Sequence, residues 1–396
     1  MLALRAQALF DGWTVTRGRV MVLVEGDRIV AVDRSGAAPP PHADVVELSE
    51  ATLLPGLVDA HVHLMFEPTG HPLADVVGVA DDVVLSRMRA NAGRALAAGI
   101  TTIRDLGDAR YLTGRLRSVW TDGPQLLMSG PPITRSGGHC WFLGGEADGV
   151  DGVRAAVAQR VAAGVDVVKV MATGGLMTPG FGVHESQYGP AELRAACAAA
   201  HDRGLTVTAH AHGPQGIAES VAAGVDGVEH ASFLTADGVE LNPETVDRLA
   251  AAGVFVGATE AWLAARGPPL PPDVAARLDQ CRANVVRMQR AGVRVVCSSD
   301  AGVGTRKPHD VLPHGVVLFG SLGFTSVEAL ASATSVAAQA CGVGGSKGRL
   351  APGFDADILA VAGDPTLDLR ALLHVRAVFR AGRQVDPPLS ATPGAL

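Results

Sequence analysis

Aromatic side chains are scarce, 4% of 396 residues with only two tyrosines and four tryptophans, and charged residues make up only 18%. Basic charge does not predominate: 33 Lys and Arg stand against 40 Asp and Glu, a formal net charge of −7. That balance argues against a nucleic-acid partner, which favours a clustered basic face. No uninterrupted apolar run approaches ~20 residues, so no segment reads as a bilayer-spanning helix and no membrane partner is expected. The opening stretch MLALRAQALFDGW lacks the basic-then-apolar layout of a secretory signal, and Asp11 and Trp13 interrupt it early. The five cysteines (Cys140, Cys197, Cys281, Cys297 and Cys341) are scattered and odd in number, without a C-x-x-C pair, so neither a disulfide framework nor a thiolate metal site is indicated. The expected compartment is the reducing cytoplasm. Membrane, collagenous, disordered and secreted-disulfide classes are excluded. The length suffices for one large α/β domain with a smaller partner.

What the chain has instead is a repeated unit. A glycine preceded by a small or basic residue and followed by alternating apolar residues occurs as AAGITTIRD around Gly99, AAGVDVVKV around Gly164 and DRGLTVTAH around Gly204. It returns as AAGVDGVEH around Gly224, AAGVFVGATE around Gly253 and RAGVRVVCSSD around Gly292. Each follows an Ala-rich stretch of helical spacing, which reads as a helix stopped by a left-handed glycine cap and then a short buried strand. With LLPGLVDAHVH and GPQLLMSG the strands number eight, near residues 57–62, 100–104, 125–130, 165–171, 205–211, 225–230, 254–258 and 293–298. Repeated helix-then-strand units give a parallel sheet covered by helices, and eight of them close most naturally into an α/β (β/α)8 TIM barrel. An open doubly wound sheet is the competing arrangement.

The two ends of the chain differ from this middle. Residues 1–54 carry alternating runs (RVMVLVEGDRIVAVD, then ADVVELS) with turn signals, and the carboxyl end carries DADILAVAGD and HVRAVFRAGRQV. Both read as antiparallel strands, so a small β-sandwich formed by both ends is expected. Residues 1–54 would supply its amino-terminal strands, 55–349 the barrel, and 350–396 its carboxyl-terminal strands with a mobile tail, DPPLSATPGAL.

In such a barrel the active site is built at the carboxyl ends of the strands. Counting forward from the repeat glycines, Lys169, His210, His230 and Asp300 fall at those ends, and His61 and His63 close the first strand. Residues i and i+2 of a strand share a face, so His61 and His63 point into one pocket. Singly each has a bland explanation: a hydrogen-bonded histidine, or Asp300 as a helix cap. Jointly, five imidazole or carboxylate groups at one barrel mouth point to a metal. Lys169 lies in VDVVKVMAT, a strand buried on both faces, where a bare ammonium is costly. It is either paired with an acid such as Asp300 or Asp105, or converted by carbon dioxide to an anionic carbamate able to bridge two metal ions.

Together PGLVDAHVHL, VVKVMATGG, TAHAHG, VEHASF and SSDAG, with GRLAPGFDADILAVAGDP near the carboxyl end, resemble the ordered metal-site motifs of the amidohydrolase superfamily. The likeness is to its binuclear, carboxylated-lysine type and to the imidazolonepropionase-like and dipeptidase-like members. The resemblance covers nearly the whole chain. It implies that His61, His63 and Asp300 hold one metal, that His210 and His230 hold a second, and that carboxylated Lys169 bridges them. Nitrogen and carboxylate-type donors suit Zn²⁺ best, with Mn²⁺ or Fe²⁺ as alternatives. His212, farther into the loop, is assigned to substrate contact.

The implied mechanism is hydroxide shared by the two metals attacking a polarised carbonyl, with Asp300 as proton acceptor and donor and His139 as a donor to the oxyanion. Four long loops, 131–150, 172–190, 259–275 and 301–315, carry substrate choice. They supply Arg135, Trp141 and Phe142, then His184, Gln187 and Tyr188, then Glu260 and Trp262. Arg135 or Arg306 is the candidate for a substrate carboxylate, and Trp141, Phe142 and Trp262 suggest an apolar substrate moiety. The expected activity is hydrolysis of an amide bond in a small molecule of N-acyl amino acid or dipeptide type. The alternatives are a cyclic-amide, lactone or carbamate hydrolase on the same site, a mononuclear deaminase, which has no need of a bridging lysine, and a non-enzymatic scaffold. The sequence leaves the oligomeric state open, with a homo-oligomer allowed.

Overall fold

A computed structural model describes residues 1–385; the tail DPPLSATPGAL lies outside the described residues. Four strands come first, β1 (Leu2–Phe10), β2 (Val15–Glu25), β3 (Arg28–Asp33) and β4 (Asp44–Pro55). Eight short strands alternate with helices: β5 (Leu57–Val62), β6 (Ile100–Asp105), β7 (Gln125–Met128), β8 (Val167–Met171), β9 (Thr206–Ala211), β10 (Gly227–His230), β11 (Phe255–Ala258) and β12 (Arg294–Cys297). Then come β13 (Ile358–Ala362), β14 (Val375–Arg380) and β15 (Arg383–Gln384).

The eight middle strands form two parallel sheets, β5-β6-β7 and β8-β9-β10-β11-β12. Backbone hydrogen bonds join them at both seams. Ile133 N donates to Lys169 O and Asp166 N to Met128 O on one side; Asp300 N donates to His61 O and His63 N to Ala301 O on the other. The strands therefore close into the (β/α)8 barrel, and the open sheet is excluded. The expected strand positions coincide with the observed ones to within two residues, and Gly99, Gly164, Gly204, Gly224, Gly253 and Gly292 all have positive φ, as helix stops of this kind require.

Both chain ends share one seven-stranded sheet, β15-β14-β13-β4-β1-β2-β3. It curls over its own core of Leu4, Val22, Ile29, Leu53, Ile358 and Phe379, until its two edges meet: a Cβ on Gly382 would lie 2.0 Å from Gly26 O. The sheet is not antiparallel throughout. β1 and β4 pair in parallel, because the connection through residues 34–43 returns β4 along the other edge of β1 before it enters the barrel. A large apolar cluster fills the space between barrel and helices. Among the described residues no helix is long and apolar enough to cross a membrane.

Candidate metal centre

The carboxyl ends of the barrel strands carry a chain of histidines. Ligand atoms of His61, His63 and Asp300 lie within 4.8 Å of one another, as do those of His210, His212 and His230. His61 and His63 each hold Nε2 3.4 Å from Asp300 Oδ1. The two groups are contiguous, since the His61 and His230 rings are 5.2 Å apart between centroids. His230 (φ 70°) and Asp300 (φ 53°) adopt left-handed backbone, a conformation that costs roughly 1–3 kcal/mol per residue and persists where the surroundings dictate it. The turn at the strand end is what swings both side chains into the mouth.

Each imidazole is fixed by one ring nitrogen, leaving the other for the centre. His61 Nδ1 is 3.0 Å from Glu229 Oε2 and His63 Nδ1 is 3.1 Å from Gly107 O. His210 Nε2 donates to Gly174 O at 3.0 Å, and His230 Nδ1 is 2.9 Å from Thr259 Oγ1. Such partners set ring orientation and tautomer in metal sites. Burial pushes His61 down to about 4 and His210 and His230 well below the ordinary imidazole range, so they are neutral donors at pH 7. Burial alone would raise Asp300, but His61, His63 and Lys307 outweigh it and hold the carboxyl well below its usual range.

Lys169 is 1% exposed, and its Nζ has no hydrogen-bond partner. Burial lowers its pKa to about 8, with Glu229 and Asp300 acting in the opposite sense. An ammonium desolvated in this way costs several kcal/mol. The neutral imidazoles of His61, His210 and His230, the ionised Asp300 carboxylate and the partnerless Lys169 amine are a donor set that fits divalent cations. His61, His63 and Asp300 would hold one cation and His210 and His230 the other.

The centre forms the floor of a cavity of about 350 Å³, whose walls include His139, His212, Met177, Leu234, Glu260, Trp262, Val303 and Lys307. His139 stacks toward His210 with centroids 4.7 Å apart, and its Nδ1 is buried without a partner; burial and His212 push it down to about 3. Gly175 makes room for that ring, because a Cβ there would lie 2.4 Å from His139 Nε2. His212 Nδ1 is 2.7 Å from Ser232 Oγ.

Other residues expected to touch substrate are placed elsewhere. Tyr188 is buried with its hydroxyl donating to Ala147 O at 2.6 Å, so it is engaged in packing the 131–150 loop. Gln187 is also buried: its Oε1 accepts from His139 N at 2.5 Å and its Nε2 donates to Met171 O at 2.9 Å. Arg135 is exposed beside Asp148. Arg306 donates to Ala264 O and Pro268 O and lies over Trp262. Trp141 is 41% exposed, and neither it nor His184 is on the cavity wall. These placements put Tyr188, Arg135, His184 and Trp141 off the cavity wall, to which the same loops contribute His139, Cys140, Leu176 and Met177 instead.

Sequence reasoning missed the groups beneath the centre. Glu229, 1% exposed, takes hydrogen bonds from His61, from Arg104 Nη2 at 3.0 Å and from Thr208 Oγ1 at 2.7 Å. His61 and Arg104 outweigh the effect of burial and hold its carboxyl well below the usual range. Asp59 Oδ1 accepts from Ser299 N at 3.1 Å, tying β5 to the end of β12. The available signal was an acid and an arginine inside otherwise apolar strands, VEH and TTIRD.

A family model described as amidohydrolase family matches residues 52–385. The chain belongs to the amidohydrolase family. Ochratoxinase of Aspergillus niger is 28% identical to it, over 91% of this chain and 81% of that protein. Imidazolonepropionase of Cereibacter sphaeroides is also 28% identical, over 94% of this chain and 97% of that protein. Among solved structures, a Xaa-Pro dipeptidase with methionine bound in its active site superposes with a TM-score of 0.85 at 26% identity, covering 97% of this chain and 99% of that one. The protein is accordingly an enzyme acting on carbon–nitrogen bonds, of a class that works on small molecules.

Proposed function

We propose that the protein is a two-metal hydrolase that cleaves the amide bond of an N-acyl amino acid or dipeptide-like substrate. The observation that carries the reading is the buried, partnerless Lys169 Nζ on the wall of the cavity that both ligand groups also line. In its neutral form the amine nitrogen adds to carbon dioxide and releases a proton, giving a carbamate whose charge is balanced by two cations. Nitrogen and carboxylate-type donors favour Zn²⁺. Bound there, the cations would supply Lewis acidity for the scissile carbonyl and would lower the pKa of a water enough to make it a nucleophile at neutral pH.

The chain's own residues do the rest. Asp300, kept ionised, takes a proton from the attacking water and returns it to the departing nitrogen. His139, a neutral imidazole, donates to the oxygen that becomes negative. Glu229 and Arg104 hold His61 in its tautomer, and Met177, Leu234, Trp262 and Val303 receive the apolar moiety of the substrate and exclude water. The names of the relatives, an ochratoxinase and a Xaa-Pro dipeptidase, support amide cleavage.

The test is metal analysis of the purified protein beside Lys169→Ala, with a panel of N-acyl amino acids, dipeptides, cyclic amides and lactones. About two metals per chain and amide turnover are expected, and both collapse in the variant. A variant with unchanged metal content and turnover refutes the bridge; ammonia as the sole product refutes the reaction class.

A further inference from the structure

One charge on the cavity wall, beyond its part in keeping Asp300 ionised, has no task at the substrate in this scheme. Lys307 Nζ donates to Thr259 O at 2.7 Å and to Ser299 O at 2.8 Å. Both acceptors are neutral, and among the described residues no carboxylate oxygen comes within 4.0 Å of the nitrogen. Two of three N–H groups are used, leaving one for the cavity the residue lines. The acids that feel its charge are engaged elsewhere: Asp300 with His61 and His63, Glu260 with Arg282 Nε at 3.3 Å, and Asp59 with Ser299 N at 3.1 Å.

The segment is built to hold this ammonium still. Gly302 N donates to Lys307 O at 2.8 Å, Lys307 N to Gly304 O at 2.9 Å, and Leu263 N to Arg306 O at 2.8 Å. Little rotamer freedom is then lost when a ligand arrives. The two carbonyls place it at neighbouring strand ends that serve both ligand groups, since Ser299 precedes Asp300 and Thr259 contacts His230. The arginines expected to meet a substrate carboxylate are engaged elsewhere: Arg306 with two carbonyls, Arg135 on the surface. Apart from Lys169, no other lysine or arginine lines this cavity among the described residues.

We infer that Lys307 anchors the free carboxylate of the substrate, so that the enzyme takes molecules ending at the residue released and rejects chains that continue beyond it. The inference rests on the amide-hydrolase reading and names its substrate class. A carboxylate gains a charge-assisted hydrogen bond here, while a carboxamide or a further residue gives the third N–H only a neutral partner or none.

The test uses the metal-loaded enzyme with N-acyl amino acids and dipeptides, each beside its C-terminal carboxamide, in wild type, Lys307→Met and Lys307→Arg. A binding assay with 3-phenylpropane-1-sulfonate, an anion that coordinates divalent metals weakly, runs in parallel. Wild type is expected to prefer the acids by about ten- to hundredfold in kcat/KM, the range of one charge-assisted contact. Lys307→Met erases that ratio, Lys307→Arg keeps some of it, and metal content is equal in all three. The sulfonate binds Lys307→Met at least about tenfold more weakly than wild type. Equal turnover of acids and carboxamides by wild type overturns the inference. So does an equal loss on both in Lys307→Met, which assigns the residue to holding the strand ends, or sulfonate affinity unchanged in that variant. If no amide is cleaved but the sulfonate still distinguishes the variants, the anion site stands and the reaction class falls.

Discussion

Replacing Glu229 by glutamine keeps the shape of the side chain and removes its charge, which makes it the sharpest probe of what lies beneath the centre. The carboxylate is 1% exposed and accepts from three donors on three strands: His61, Arg104 and Thr208. In the variant Arg104 keeps its bonds to Ala60 O and Ala340 O but is left as a buried guanidinium without a counter-ion. Breaking one side of a buried pair costs about 3–5 kcal/mol. At about 2.1 cal/mol/K per residue over 396 residues, the lower figure corresponds to an apparent Tm about 4 °C lower at pH 7 with metal concentration fixed. The free amide end also competes for His61 Nδ1, so affinity for the cation on His61 falls about 10–100-fold, as for other groups that orient a metal-bound histidine. The sign with pH follows from the depressed carboxyl of Glu229. Its contribution is complete above the ordinary glutamate range and fades only as pH falls toward the folded value, so the difference in Tm persists unchanged from pH 6 to 8. The double variant Arg104→Met with Glu229→Gln removes the stranded charge and recovers some of the loss. Calorimetric melting and metal titration decide the matter: a Glu229→Gln protein melting within about 1 °C of wild type and binding metal equally well refutes the reasoning.

Two further substitutions probe the same architecture. In Gly257→Ala the new Cβ would stand 2.0 Å from Glu229 Oε2; we expect a stability loss of about 1–3 kcal/mol by overpacking and weaker metal binding, read by denaturant unfolding and metal titration. Tyr188→Phe removes only the bond to Ala147 O, so stability should drop by about 1 kcal/mol while kcat/KM stays within twofold; a large loss of turnover would put the hydroxyl at the substrate after all.

The features legible in the sequence are those with a period or a fixed offset. A glycine cap followed by a β-branched run located six of the eight barrel strands, and a titratable residue five to eight positions on located Lys169, His210, His230 and Asp300. The parallel pairing of β1 with β4 was not legible, because local alternation fixes that a strand exists and not which neighbour it finds. Nor was the partnership of Arg104 with Glu229, 125 positions apart, since no local pattern encodes a pairing across the barrel interior. The loop residues misled for another reason. Tyr188, Arg135 and Trp141 have the side chains that bind ligands, but the same chemistry lets Tyr188 pin a loop to Ala147 and Arg135 sit beside Asp148 in solvent.

The division of labour in the molecule follows from these contacts. Five imidazoles around the mouth, those of His61, His63, His210, His212 and His230, each spend one nitrogen on a fixed partner, and each partner comes from a strand or strand-end turn other than the histidine's own. Reorienting any one ring therefore means moving a second strand, which a close-packed barrel resists. The walls are different. Leu176, on the rim, is 85% exposed, and Trp262 is held through Arg282 and Arg306 at 5.1 and 5.0 Å rather than by the barrel. Changes at Leu176 or Trp262, neither of which holds a ring, alter what fits above the centre without disturbing the imidazoles below. Loop residues that hold no ring, such as Met177 and Trp262, should consequently change KM and substrate preference, whereas residues under the floor, such as Glu229 and Gly257, should change metal content first and activity only through it.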